Sequence, residues 1–232
     1  MKNLSSFCAL LVAVCITSLC HASINTGDLV RIDDALGSNN GGAFLATDLT
    51  GPIASPFLTF CLEQNEFFSP GSTYYVTVET VAFFGGDGLA DIGGEGTAGT
   101  VGPPRNDPIS PMTAWLYSNA LAGTLAGYSN TDAGNTALQY AIWYIENEEP
   151  AAPTGLALSF YQLADLAADS LSSTDIGNVR VMNVWSSAAT AYTAAGRQQS
   201  MLVMVPEATT IAVWSVLSLI GGGLAYRKCS LS

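Results

Sequence analysis

The 232-residue sequence predicts an α+β fold, an antiparallel β-sheet or sandwich with a helical insertion, followed by a C-terminal transmembrane helix. Three observations predict it. The first half holds short runs rich in β-branched and aromatic residues, separated by Gly, Pro, Ser and Asn. The middle holds apolar residues at three- and four-residue spacing. Strand character then returns, so that a sheet interrupted by helices is closed by late strands and its two ends lie near each other.

Taken in order, strands are expected over 27–33, 42–50, 57–63 and 73–84. From Gly85 to Pro111 small residues and prolines replace large apolar ones, which predicts a long irregular loop. Its Gly85-Gly86-Asp87-Gly88 start resembles one calcium-binding nonapeptide, but Asp91 falls one place late and the unit occurs once, whereas such repeats bind by stacking. Helices are expected over 112–126, 137–146 and 157–171, with Asn135 or Thr136 capping the second. Strands close the domain at 179–186 and 199–205.

The two ends read as sorting segments. Lys2 precedes an apolar run from Phe7 to Leu19, and Cys20-His21-Ala22 offers small residues for cleavage before Ser23, as in a signal peptide over residues 1–22. At the other end Val205-Pro206-Glu207 is followed by an uncharged stretch from Ala208 to Tyr226 and then by Arg227-Lys228. At about 1.5 Å per helical residue that stretch reaches roughly 30 Å, enough to span a bilayer. Its basic end belongs on the cytoplasmic side. The tail, residues 205–232, resembles the PEP-CTERM sorting signal of a Pro-Glu-Pro motif, one membrane helix and a basic cluster. Here Ala208 stands where the second Pro belongs. The resemblance implies an exosortase-type processing partner, and a protein held in the inner membrane by its tail before reaching the cell surface or the extracellular matrix. A plain membrane anchor is the alternative.

Between the two ends, residues 23–204 suit one domain with a full hydrophobic core. Setting aside Lys2, Arg227, Lys228 and Glu207 leaves 4 basic and 18 acidic residues, a net charge of −14, which argues against nucleic acid or an anionic membrane surface as partner. The only histidine is His21, so the domain has no imidazole for a nucleophile pair or a His-ligated metal. No cofactor is expected. Lys2 and Lys228 are the only lysines, and Cys61 is the only cysteine between the two sorting segments. A lone exported thiol is an oxidation hazard unless it is buried, paired between molecules or used chemically.

Two segments stand out together. Phe60-Cys61-Leu62-Glu63 ends a predicted strand, and Ala137-Leu138-Gln139-Tyr140-Ala141-Ile142-Trp143 opens a predicted helix, with Thr113-Ala114-Trp115-Leu116-Tyr117 between them. In that order they resemble the thioester domain of bacterial surface adhesins, in which a Cys after an aromatic residue and the Gln of a TQxAIW-like motif join as an internal thioester. Leu138 replaces the Thr that usually precedes the Gln. The resemblance spans about half the domain and implies a bond between Cys61 and Gln139.

The chemistry is sound without the family. A thiolate attacks the carboxamide carbon, ammonia leaves, and an acyl–sulfur bond remains. Held contact supplies effective concentrations on the order of 10⁵ M, and a water-poor pocket protects the product. Trp115, Tyr117, Tyr140 and Trp143 are candidate walls. Gln139 is expected near a helix start, where free N–H groups favour a thiolate and an oxyanion. Glu63 or Glu146 is a candidate proton shuttle. The thioester would acylate a surface amine or hydroxyl once, without turnover, so the protein is not expected to be an enzyme. The absence of lysine then has a use, since no side-chain amine quenches the acyl group; a general avoidance of lysine in acidic exported proteins is the equal alternative.

Each residue also has a plain structural reading: Cys61 as a buried small hydrophobe, the aromatics as packing, and an intermolecular Cys61 disulfide as a further option. The competing function is a non-catalytic structural or polysaccharide-binding part of the biofilm layer. A glycosidase using paired carboxylates such as Glu146 with Glu148, or Glu63 with Glu66, is weaker, because hydrolysis needs a facing geometry.

Overall fold

Burial with a period of two builds the sheet. In β1 (Leu29–Asp34) Val30 and Ile32 are fully buried while Leu29 and Arg31 are exposed, the pattern of a strand with one face in a core. The same alternation recurs in β2 (Phe44–Asp48) and over Tyr74–Val76 of β4 (Ser72–Glu79), whereas β8 (Arg197–Met204) is buried on both faces from Gln199 to Val203. The computed structural model describes residues 24–38, 41–51, 56–64, 66–84, 106–149, 151–172 and 174–206.

Six antiparallel strands stand in the order β3 (Pro56–Thr59), β2, β1, β4, β7 (Val179–Trp185), β8. The two outer strands then meet. Past β3 the chain runs alongside β8: Leu202 N donates to Phe60 O at 3.0 Å, Leu62 N donates to Ser200 O at 2.8 Å, and Cys61 faces Met201. The sheet therefore curls into a ring whose seam is the Phe60–Leu62 segment, which removes its free edges. A second, two-stranded sheet pairs β5 (Val81–Phe83) with β6 (Asn106–Pro108).

Three helices lie between β6 and β7. Ser110 caps α1 (Pro111–Leu121), accepting from Met112 N at 3.2 Å, with Pro111 at the first helical position. Thr131 caps α2 (Asp132–Ile145) by accepting from Gly134 N at 3.1 Å. The last helix is α3 (Gly155–Ala168).

The helices divide the core in two. Inside the ring, Val30, Ile32, Phe44, Ala46, Tyr74, Val76, Met182, Val184, Met201 and Val203 pack with Cys61 and Trp143. Outside it, the helices bury Leu116, Tyr117, Leu138, Ile142 and Phe160 against Phe60, Leu62, Val179, Val181 and Leu202. Residues 60–62 thus alternate between the two cores, with Cys61 inside the ring.

The α+β reading holds, with a ring of strands rather than two stacked sheets and with all three expected helices present. Three details differ. The run over 73–84 is two strands, because the chain leaves the main sheet at Thr80 and β5 joins β6 instead. The first helix stops at Leu121, where Ala122 and then Gly123 at φ 69° turn the chain. The second begins at Asp132, not at Ala137: Thr131 outcompetes Asn135 and Thr136 as cap, because Asn135 is drawn inward to bond Leu36 O and Tyr128. Most of the expected 85–111 loop, the signal peptide, Glu207, the apolar stretch 208–226 and Arg227-Lys228 lie outside the described residues. Val205 is still tied to the domain, donating to Asn178 O at 2.9 Å. Among the described residues no helix is long and apolar enough to cross a membrane.

Candidate functional site

The seam strand has two edges. One faces β8. On the other, the β2–β3 register, with Phe44 opposite Thr59, would bring Gly42 opposite Cys61 if it continued. It does not continue, because Gly42 N turns back to Gly37 O at 2.9 Å. The peptide groups of Cys61 are left without a strand partner, buried where water does not reach them.

Gln139 fills that gap. Its Oε1 accepts from Cys61 N at 2.9 Å and its Nε2 donates to Cys61 O at 2.8 Å. The carboxamide acts as one more residue of the ladder, supplied by a helix. Gln139 is fully buried and Cys61 is 5% exposed, so both polar ends of the amide need these bonds.

Gln139 is the eighth residue of α2, two turns from the helix start. The expected help from free helical N–H groups therefore does not apply, since that effect fades within the first turn. The donor that faces the carboxamide oxygen is the N–H of Cys61 itself.

The aromatic candidates separate into two groups. Trp143, one turn beyond Gln139, reaches into the ring core beside Cys61. Gly41, at φ 72°, makes room for it, and a Cβ there would collide with the indole. Tyr117 braces the seam, its hydroxyl donating to Leu58 O at 2.7 Å and approaching Leu202 O at 3.3 Å, with its ring edge-on to Phe60. Trp115 packs with the helical core instead. Tyr140 is 38% exposed and lines an open groove of about 730 Å³ between α2 and the start of α3, together with Thr136, Glu149, Pro153 and Ala157.

Acidic side chains crowd one end of the seam. Glu66 sets Oε2 3.0 Å from Ser200 N and Oε1 3.1 Å from Arg197 Nε, with its side chain only 6% exposed. Burial pushes its carboxyl up to about 8, against the pull of Arg197 and Ser200. Glu146, also buried, accepts from Ser110 N at 3.2 Å and is pushed up to about 8 by the same cause. Glu63, Asp107 and Glu148 each bring a carboxylate oxygen within 4.8 Å of the others. An all-oxygen set of this kind has the chemistry for a hard cation. Glu63, Glu146 and Glu148 are all buried, so the neighbouring pair Glu63 and Glu148 is inside the protein rather than in an open cleft.

Burial also pushes the Cys61 thiol up, well above its ordinary range, with the charge of Glu66 as the second cause. Cys61 rests as a neutral thiol. Sequence reading missed Glu66 as its acidic neighbour, because nothing in the spacing from Cys61 reveals that the chain folds back over Ser200.

Comparison with known proteins adds no relative: no family model, no curated protein and no solved structure matches this chain.

Proposed function

We propose that the chain is an exported surface or matrix protein whose domain joins Cys61 to Gln139 as an internal thioester and then acylates an amine or hydroxyl on a neighbouring surface. One observation carries this reading: the Gln139 carboxamide is held against Cys61 at both ends, at 2.9 and 2.8 Å, in a buried site. Attack by sulfur on the carboxamide carbon drives charge onto Oε1, where the Cys61 N–H already donates, as an oxyanion donor must. Exosortase-type processing of the Pro206-Glu207 tail then accounts for release from the inner membrane.

The test is the intact mass of the gently isolated chain. The thioester form is lighter by one ammonia, and methylamine adds to Gln139; Cys61→Ala abolishes both. An unshifted mass together with a titratable Cys61 in the unfolded chain removes the proposal.

A second reading, a non-covalent structural or polysaccharide-binding module, is favoured by two observations. Gln139 has a complete structural role as a ladder surrogate. The groove beside Tyr140 offers an exposed ring with carboxylate and hydroxyl groups, a composition suited to sugars. Under this reading Cys61→Ala leaves attachment unchanged and Tyr140→Ala weakens it.

A further inference from the structure

Thioester formation requires a proton to move. The thiol must lose one, the departing amide nitrogen must gain one, and the hydrophobic cluster that packs with Cys61 inside the ring offers only the Tyr74 hydroxyl and the Trp143 indole as polar groups. The group that meets this need has to stand at the seam, be able to hold a negative charge there, and have a free lone pair.

Glu66 satisfies all three conditions. It is fixed at the seam one ladder step from Cys61, since its Oε2 bonds Ser200 N while Ser200 O accepts from Leu62 N at 2.8 Å and the adjoining Met201 faces Cys61. Arg197 Nε, 3.1 Å away, allows it to carry charge in a buried setting. Its buried Oε1 is the oxygen that faces Arg197 Nε, in an ion pair that does not reach hydrogen-bond geometry. A carboxylate oxygen has two lone pairs, so one beside the Arg197 contact is left to take a proton.

Resting on the thioester reading, we propose that Glu66 takes the proton of the Cys61 thiol as sulfur attacks Gln139 and returns it to the leaving nitrogen. The balance is closed. The S–H bond breaks and its proton goes to Glu66 Oε1. The S–Cδ bond forms, and the Cδ–Nε2 bond breaks. The proton on Glu66 then completes ammonia, leaving Glu66 ionised as it began. Among the described residues, Arg197 on β8 and Glu148 after α2 act electrostatically on Glu66, and Glu66 acts on Cys61. With its carboxyl pushed up to about 8, Glu66 has the near-neutral poise that a proton carrier requires.

The experiment follows ammonia loss by intact mass while the full chain refolds from denaturant at a series of pH values. The expected profile rises with pH and levels off above about 8, because Glu66 is then ionised and further hydroxide adds nothing. Glu66→Gln, nearly isosteric, is expected to slow the step by about 10²-fold or more. Wild-type rate in Glu66→Gln, with the wild-type chain still losing ammonia, overturns the Glu66 assignment and leaves the thioester standing. A wild-type profile that climbs without levelling to pH 10 overturns it equally, and does so without any variant having to fold. Should the wild-type chain lose no ammonia at any pH, both proposals fall together.

Discussion

Gln139 and Cys61 are joined as two strand residues would be, although one belongs to a helix: a side-chain amide bonds both peptide groups of Cys61, at 2.9 and 2.8 Å. The contact closes the one place where β2 has turned away from the seam. It ties the α2 helix to the ring by polar bonds, where its neighbours Leu138, Ala141 and Ile142 tie it by apolar packing.

Removing the amide is expected to be costly. Gln139→Leu leaves a buried N–H and a buried C=O on Cys61 unsatisfied, for a loss of about 2–4 kcal/mol at 1–2 kcal/mol each. Urea unfolding measures it. A loss below about 0.5 kcal/mol, the range of ordinary surface changes, would contradict the burial of this pair.

Gly41 is predicted to be nearly irreplaceable. Gly41→Ala both strains a backbone at φ 72° and drives a methyl into the Trp143 ring. A destabilisation of about 1–3 kcal/mol is expected, along with a shift in tryptophan fluorescence as the indole moves. An unchanged melting temperature would mean that the 41–42 turn adapts freely.

Stability is expected to rise on mild acidification. Glu66 and Glu146 carry folded-state values raised to about 8 from an ordinary 4.5, so between those limits the folded chain holds protons that the unfolded chain has released. Their stabilising contribution is fully present below about 4.5 and is lost as pH rises towards 8, by at most about 1.4 kcal/mol per pH unit for each group. Thermal melts at pH 5.5 and 8 check the sign, and Glu146→Gln is expected to flatten the profile. A chain more stable at pH 8 would refute it.

Loss of the Thr131 cap is expected to have a modest effect. Thr131→Ala removes the acceptor for Gly134 N and costs about 1 kcal/mol. Because Gln139 lies two turns further on, ammonia loss is expected to persist in this variant, which separates helix stability from the chemistry of the pair.

Much of the architecture was legible in the chain. The period-two runs at Val30 and Ile32 and the period-three and -four runs in α1 to α3 mark strands and helices, because each element must present an apolar face to a core. The lone Cys61 and the polar Gln139 on an apolar helix were likewise visible, since such residues need partners that composition alone makes scarce. With His21 the only histidine, the sequence also offers no imidazole elsewhere for a Ser-His or Cys-His nucleophile pair.

What the linear order could not contain was the closure. That β8 meets residues 60–62, that Gly42 turns away, and that Glu66 swings back over Ser200 are outcomes of long-range pairing, where no local preference specifies the partner. Hydrogen-bond demand decides them. Once the ring closes, every buried peptide group at the seam must be satisfied, and Gln139, Glu66 and Tyr117 are among the side chains that do so.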